Sequence, residues 1–222
     1  MKKAVLILSH QLLSMVDPIK TLLARDGYRY FILSSASARL TVPAWTAAPE
    51  DMKITAGLHL TQQDIDETVA ETAHTHHFVG CISVWDGYRG LMAYANQRFS
   101  AQDIREETVT LLRDKWAMRT RLHQAGLSRV SAQVLTKDIY QSITAPAHYF
   151  IKPRIGLASM GTFPATALTS YAQLAQLQRR AAEDAHYAGV FQPDNPFIIE
   201  GLITGTECSF EVSLHQGQLE VL

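Results

Sequence analysis

Short apolar runs alternate with stretches of helical period along the first hundred residues. AVLILS, Ala4 to Ser9, is continuously apolar, as expected of a strand covered on both faces. Ile19 to Ala24 has helical spacing, Gly27 stops it, and YRYFILS, Tyr28 to Ser34, again reads as a strand. A less regular stretch with Pro43 and Pro49 follows. Thr61 with Asp64 three residues later forms a capping box for a helix through about Ala73. FVGCISVW, Phe78 to Trp85, is the next strand, and Tyr88 to Phe99 the next helix. Three strands with interleaved helices predict a small α/β domain on a parallel sheet, residues 1–100.

The pattern changes after Ser100. Ala101 to Ala125 is rich in helix formers and reads as two helices, or one bent helix, joined near Arg113-Asp114 and closed by Gly126. Short strands follow at Val130 to Leu135 and Tyr149 to Ile151. A helix from about Tyr171 to Tyr187 carries an apolar stripe of Leu174, Leu177 and Ala181. Pro196 to Leu222 reads as three strands with turns at Gly205 and at His215-Gln216-Gly217. Residues 101–222 therefore form a second, α+β portion. Its last hairpin is expected to leave a sheet with an uncovered face and a raw edge, to be completed by further sequence or by a partner.

Composition adds few constraints. The 222 residues are 47% hydrophobic with a formal net charge of -1, so no global charge recruits nucleic acid or a membrane surface, and any anion site must be local. No run reaches the length of a spanning helix. Cys81 and Cys208 sit in apolar, strand-like runs and are expected to be reduced, buried thiols of a cytoplasmic protein. Arg119-Thr120-Arg121 and Arg179-Arg180 read as solvated helix faces.

The chemistry begins in YFIKPRIGLASMGTF, Tyr149 to Phe163. An apolar strand ends in Lys152 and runs into a loop of small residues, Gly156, Ala158, Ser159 and Gly161. An ammonium at a strand end beside backbone N–H groups that small residues leave accessible is a phosphate site in outline. The same pattern also describes a surface hairpin with a snorkelling lysine. GxxxxGK[ST] is absent, and Ser9 to Ser14, after the first strand, contains no glycine, which removes the Walker-type and dinucleotide-binding loops. Ser9-His10 ends the first strand, where α/β folds often place ligands. HTHH, His74 to His77, offers imidazoles for a transition metal but no neighbouring acidic or cysteine ligand, so no metal site is assigned.

DKWAMRTRLHQAGL (Asp114 to Leu127), FIKPRIGLASMG (Phe150 to Gly161) and FIIEGLITGTECSFEV (Phe197 to Val212), taken in that order, resemble the ATP-grasp superfamily of carboxylate–amine and carboxylate–thiol ligases. The α/β segment before them resembles the domain that usually precedes the ATP-grasp fold. The resemblance implies a parallel-sheet preATP-grasp domain followed by a C-terminally incomplete ATP-grasp portion: its first subdomain and the start of the second. It implies that Lys115 and Lys152 bind phosphates, and that Gly156, Ser159 and Gly161 belong to the loop closing over them. Glu200 would open the adenine-binding hinge, the backbone at Leu202 and Ile203 would take the adenine edge, and Glu207 would hold the ribose hydroxyls.

The implied reaction is activation of a carboxylate as an acyl phosphate by ATP, followed by attack of an amine, as in an amino-acid ligase. The alternative is a non-catalytic nucleotide-binding or regulatory subunit. ATP and a small carboxylate are the expected ligands, and a second copy or a complementing chain the expected protein partner. Leu157, Ala158 and Met160 stand where the family's loop is richer in glycine, which predicts lower loop mobility. The family's metal-binding residues lie in a half absent here, so Mg²⁺ is expected only in the complete enzyme, and the chain alone is expected to bind ATP poorly and catalyse nothing unless a second chain supplies the rest.

Overall fold

The structure is a computed structural model that describes residues 2–12, 16–37, 51–192 and 194–222. The Pro43 and Pro49 stretch and the end of the Ser9 to Ser14 turn lie outside them. In the first unit, β1 (Lys3–Ser9), β2 (Arg29–Ser34), β3 (Met52–Ile54) and β4 (His77–Ser83) form one parallel sheet in the order β3-β2-β1-β4. β1 is central, and side-chain alternation divides it between two cores. Ala4, Leu6 and Leu8 pack with Leu60, Ile65, Tyr88 and Ala95 on one face, whereas Ile7 meets Val16 and Ile32 on the other. These contacts place α2 (Gln62–Thr72) and α3 (Arg89–Arg98) on one side and α1 (Val16–Arg25) opposite, the coverage a continuously apolar strand demands. The capping box of α2 is present: Asp64 N–H donates to Thr61 Oγ1 at 3.2 Å, and Thr61 N–H donates to Asp64 Oδ2 at 2.7 Å.

α4 (Glu106–Arg113) and α5 (Lys115–Gln124) meet at Asp114. α5 ends in a Schellman motif, with Leu127 N–H donating to Leu122 O and Gly126 N–H to His123 O while Gly126 takes φ +70°. A second sheet then joins β5 (Ala132–Val134), β6 (Tyr149–Pro153), β7 (Phe163–Pro164) and β8 (Phe197–Gly201) in the antiparallel order β5-β8-β6-β7. Ile151, Phe197 and Ile199 turn to a core shared with Leu135, Leu168 and Leu174, lined by α6 (Lys137–Ser142) and α7 (Ala172–Glu183). The chain finishes in the hairpin of β9 (Val212–His215) and β10 (Gln218–Val221). Gln216 and Gly217 form its two-residue turn, both at positive φ.

Several expectations need correction. β3 is a fourth strand in the first sheet, too short to show a period of its own. α6 and β7 were likewise not predicted, and α7 ends at Glu183, with a separate 3₁₀ turn at Ala185–Tyr187. Cys208 is exposed, in the irregular stretch between β8 and β9, whereas Cys81 is buried. TGTECSFE alternates like a strand, but among the described residues only its last residue, Glu211, takes a backbone hydrogen bond from the final hairpin, from Leu222 N–H at 2.9 Å.

The 3₁₀ turn closes the gap between the two units. His10 Nε2 meets the His186 carbonyl at 2.8 Å, and Gln11 Nε2 donates to the Ala185 carbonyl at 2.5 Å. Trp85 adds apolar contact, packing with Val190, Phe191 and Tyr187 of the second unit.

Candidate functional site

Strand alternation builds the site. Phe150 pairs with Glu200 and Lys152 with Ile198, so Lys152 and Glu200 stand on the same face, diagonal to each other, while Ile151 and Ile199 enter the core. Lys152 Nζ is ion-paired with Glu200 Oε1, and Arg119 Nε donates to Glu200 Oε2 at 3.2 Å. Glu200 is buried at 6% exposure, a position tenable for a carboxylate because two cations meet it. Arg119 lies one turn after Lys115 on α5, and an i,i+4 spacing puts both on the helix face turned to the sheet. Lys115 Nζ donates to the Gly156 carbonyl at 2.9 Å. Burial lowers the Lys115 pKa, and Lys152 and Arg113 push it the same way against the opposing pull of Asp114 and Glu200. The two lysines thus converge on one region, at the start of the small-residue loop, where a polyanion would relieve their repulsion.

Asp114 anchors this cluster. Its carboxylate caps α5 by accepting from Ala117 N–H at 3.0 Å, and takes two hydrogen bonds from Arg154, Nε at 2.8 Å and Nη2 at 2.6 Å. The Arg154 guanidinium also lies over the Trp116 ring, 4.8 Å from its centroid. Burial alone would raise the Asp114 pKa, but Arg154 and the helix N–H groups overcome it and hold the carboxyl below its ordinary value. Asp114→Ala removes a cap and two charge-assisted hydrogen bonds from Arg154 together and is expected to lower stability by about 2 kcal/mol. Urea unfolding measures it; a midpoint unchanged from wild type would mean that the pair contributes nothing.

The loop after β6 is held at both ends. Asn195 grips Ile155, Oδ1 accepting from its N–H at 3.1 Å and Nδ2 donating to its carbonyl at 2.5 Å. Leu157 and Met160 pack against the cluster of Ala181, Val190 and Phe191, which tethers the loop by apolar contact. Ala158 and Ser159 take φ values of 54° and 56°, and Gly161 takes 71°. Left-handed backbone at two consecutive non-glycine residues is strained, the kind of strain that clusters at binding sites.

Lys115, Lys152, Gly156 and Glu200 are therefore brought together, with Ser159 and Gly161 further along the same loop. Leu202 and Ile203 follow β8 and are exposed; the Leu202 N–H already donates to the His148 carbonyl at 2.8 Å. Glu207 lies exposed in the irregular stretch, and among the described residues no ion pair joins it to the cluster. Arg119, expected on a solvated face, is instead a half-buried partner of Glu200, whereas Arg121 is exposed. Its i,i+4 relation to Lys115 was the available signal. Asp114-Arg154 and the ring stack of His10 on Trp85 were also missed, the latter because it joins positions distant in sequence. Among the described residues no group of three or more His, Cys, Asp or Glu could hold a metal ion, and no helix is long and apolar enough to cross a membrane.

No family model and no curated protein sequence matches the chain. Among solved structures it is similar to an L-amino acid ligase from Bacillus licheniformis, with TM-score 0.65 and 16% identity over 100% of this chain and 49% of that one. It is similar to a carboxyaminoimidazole ribonucleotide synthase from Aspergillus clavatus complexed with ATP (TM-score 0.60, 11% identity, 99% of this chain and 52% of that one). A third similar structure is an N5-carboxyaminoimidazole synthetase from Staphylococcus aureus complexed with ADP (TM-score 0.58, 12% identity, 100% of this chain and 53% of that one). The chain spans about half the length of these structures. Identities this low establish fold alone: the chain shares the fold of about half of each of these structures, a parallel-sheet α/β domain followed by an α+β portion.

Proposed function

We propose that this chain is the ATP-binding portion of a ligase that activates a carboxylate as an acyl phosphate and joins it to an amine. The convergence of Lys115 and Lys152 at the mouth of a strained small-residue loop carries the reading. Two ammonium groups offset a polyphosphate's charge, and the loop excludes water over it. The nucleotides in two of the similar structures support ATP as the ligand. On entry of the phosphates, Lys152 exchanges Glu200 for phosphate oxygens while Arg119 keeps Glu200 paired. Glu200 can then accept from the adenine amino group, and the backbone beyond β8, at Ile203 in particular, takes the ring edge. Glu207 would reach the ribose hydroxyls only if the stretch between β8 and β9 folds in over the nucleotide.

Magnesium would accompany the phosphates and neutralise charge developing during phosphoryl transfer. Its protein ligands are proposed to lie in the half of the similar structures that this chain does not span. The complete reaction is accordingly assigned to a polypeptide, or a pair of chains, that supplies this half.

Calorimetric titration with ATP and Mg²⁺ tests the nucleotide site. Saturable binding is expected, weakened about tenfold or more in Lys152→Ala through loss of a charge-assisted contact. Equal heats from wild type and variant would remove Lys152 from the site and, with it, the reading.

A further inference from the structure

A second cleft opens beside the phosphate loop, at the C-terminal ends of β1 and β4. Its larger compartment, 460 Å³, is bordered by His10, Val84, Trp85, Leu157 and Tyr187. An adjoining compartment of 340 Å³ contains Arg113, Lys115 and Met118. Asp86 and Leu157 line both, so one ligand can occupy the two together.

Apart from Asp86 and His186, the first compartment is lined by largely apolar side chains and a neutral His10 ring, for a structural reason. The His10 ring lies flat on Trp85, with centroids 3.5 Å apart and planes 3° from parallel. Its Nε2 faces the His186 carbonyl and must donate; Nδ1, 3.1 Å from Tyr88 Oη, accepts from that hydroxyl, which itself accepts from Leu60 N–H at 3.0 Å. Both ring nitrogens are thus committed in the neutral form. Gly87 makes room for the floor, since a Cβ there would lie 2.1 Å from the Trp85 ring.

The second compartment has the opposite character. Its Arg89 is paired with Asp103, but among the described residues no carboxylate lies within ion-pair distance of Arg113. The nearest recorded partner of the Arg113 guanidinium is the Gly87 carbonyl at 3.5 Å, the limit of a hydrogen bond. A half-buried cation so weakly satisfied suits an incoming carboxylate. Asp86 lies between the compartments, exposed and outside any ion pair among the described residues.

We propose that this cleft binds an α-amino acid with an uncharged, apolar side chain: the side chain against Trp85 and Leu157, the ammonium at Asp86 and the carboxylate at Arg113. Its role as a ligase substrate rests on the function proposed above; its binding does not. The site adjoins Lys115 and the phosphate loop, so the bound amino acid would lie beside the nucleotide.

Saturation-transfer NMR and calorimetry of the intact chain with L-phenylalanine and L-leucine test this directly, with L-glutamate, L-lysine, phenethylamine and 3-phenylpropanoate as comparison ligands. Saturable binding in roughly the millimolar range or tighter is expected for the two apolar amino acids. The charged amino acids, and the analogues lacking one end, should bind about tenfold more weakly or worse. Val84 is 49% exposed, so Val84→Glu leaves the fold intact while placing a carboxylate in the apolar compartment. It should weaken phenylalanine binding at least about tenfold and leave MgATP binding unchanged. Absent binding, no preference over glutamate and lysine, or unchanged affinity in Val84→Glu would each overturn the inference. MgATP binding without amino-acid binding would overturn it and leave the nucleotide reading standing. Amino-acid binding without MgATP binding would do the reverse.

Discussion

Glu200→Ala is expected to destabilise the chain by about 3 kcal/mol, more than any other single change in the cation cluster. The substitution removes the one buried carboxylate that faces both Lys152 and Arg119. Their side chains are only 18% and 16% exposed, so two poorly hydrated cations would be left against each other, with Lys115 nearby. Lys152→Ala is milder, because Arg119 still neutralises Glu200, and should cost about 1 kcal/mol. The asymmetry separates a structural role for the carboxylate from a phosphate-binding role for the lysine: Lys152→Ala should lose nucleotide while remaining folded. A polyanion should also rescue Glu200→Ala unevenly. Millimolar MgATP would raise its melting temperature more than that of Lys152→Ala, since the unpaired cations gain a new partner. Equal denaturation midpoints for the two variants would contradict this ordering.

How much of this was legible in the sequence depends on how far apart the interacting residues lie. Lys152 and Glu200 could be assigned to one site only through the resemblance of their segments to the ATP-grasp ligases; the pairing of YFIKP with FIIEG then puts them on one face. The capping box at Thr61 and the stop at Gly126 are local rules, and both are present. Arg119 was misread because it was grouped with Arg121, its near neighbour in the chain. Grouping it with Lys115, its neighbour on the helix, identifies it as a residue facing the site.

The rest could not be read locally. β3 is three residues of edge pairing with β2, too short for periodicity to mark. The pairing of Asp114 with Arg154 spans 40 positions, and the contact between His10 and His186 spans 176; both depend on how two sheets are brought together. The end of the first strand could be marked as a ligand position, but the neutral stacked imidazole there follows only from its surroundings. The strand expected around Cys208 failed for a similar reason. Alternation marks residues that suit a sheet, but a strand also needs a neighbour to hydrogen-bond with.

Acidification should destabilise the protein through the same imidazole. Burial, with lesser contributions from the neighbouring His59 and His186, lowers the His10 pKa from 6.5 to about 4, against the raising effect of the His186 carbonyl. In the unfolded chain His10 takes up a proton near 6.5, while the folded protein refuses it until about 4. Between these values the unfolded state binds more protons, so stability is fully present above pH 6.5 and falls as the pH drops toward 4. A displacement of this size corresponds to roughly 3 kcal/mol. His59 and His76 are also lowered by burial and add in the same direction. The structural cause is specific. A proton on Nδ1 turns an acceptor into a donor aimed at Tyr88 Oη, an oxygen that already receives the Leu60 N–H. The Tyr88 hydroxyl cannot escape by ionising, since burial raises its own pKa to about 12. The stack on Trp85 should therefore loosen, and with it the hold of His10 on the turn at His186 that closes the two units together. Urea unfolding at a series of pH values from 7.5 to 4.5, with the His10 ring titration followed by NMR, measures this. His10→Gln should flatten the profile to the part that His59 and His76 contribute. A wild-type profile already flat across that range would show that the buried imidazole is protonated without penalty.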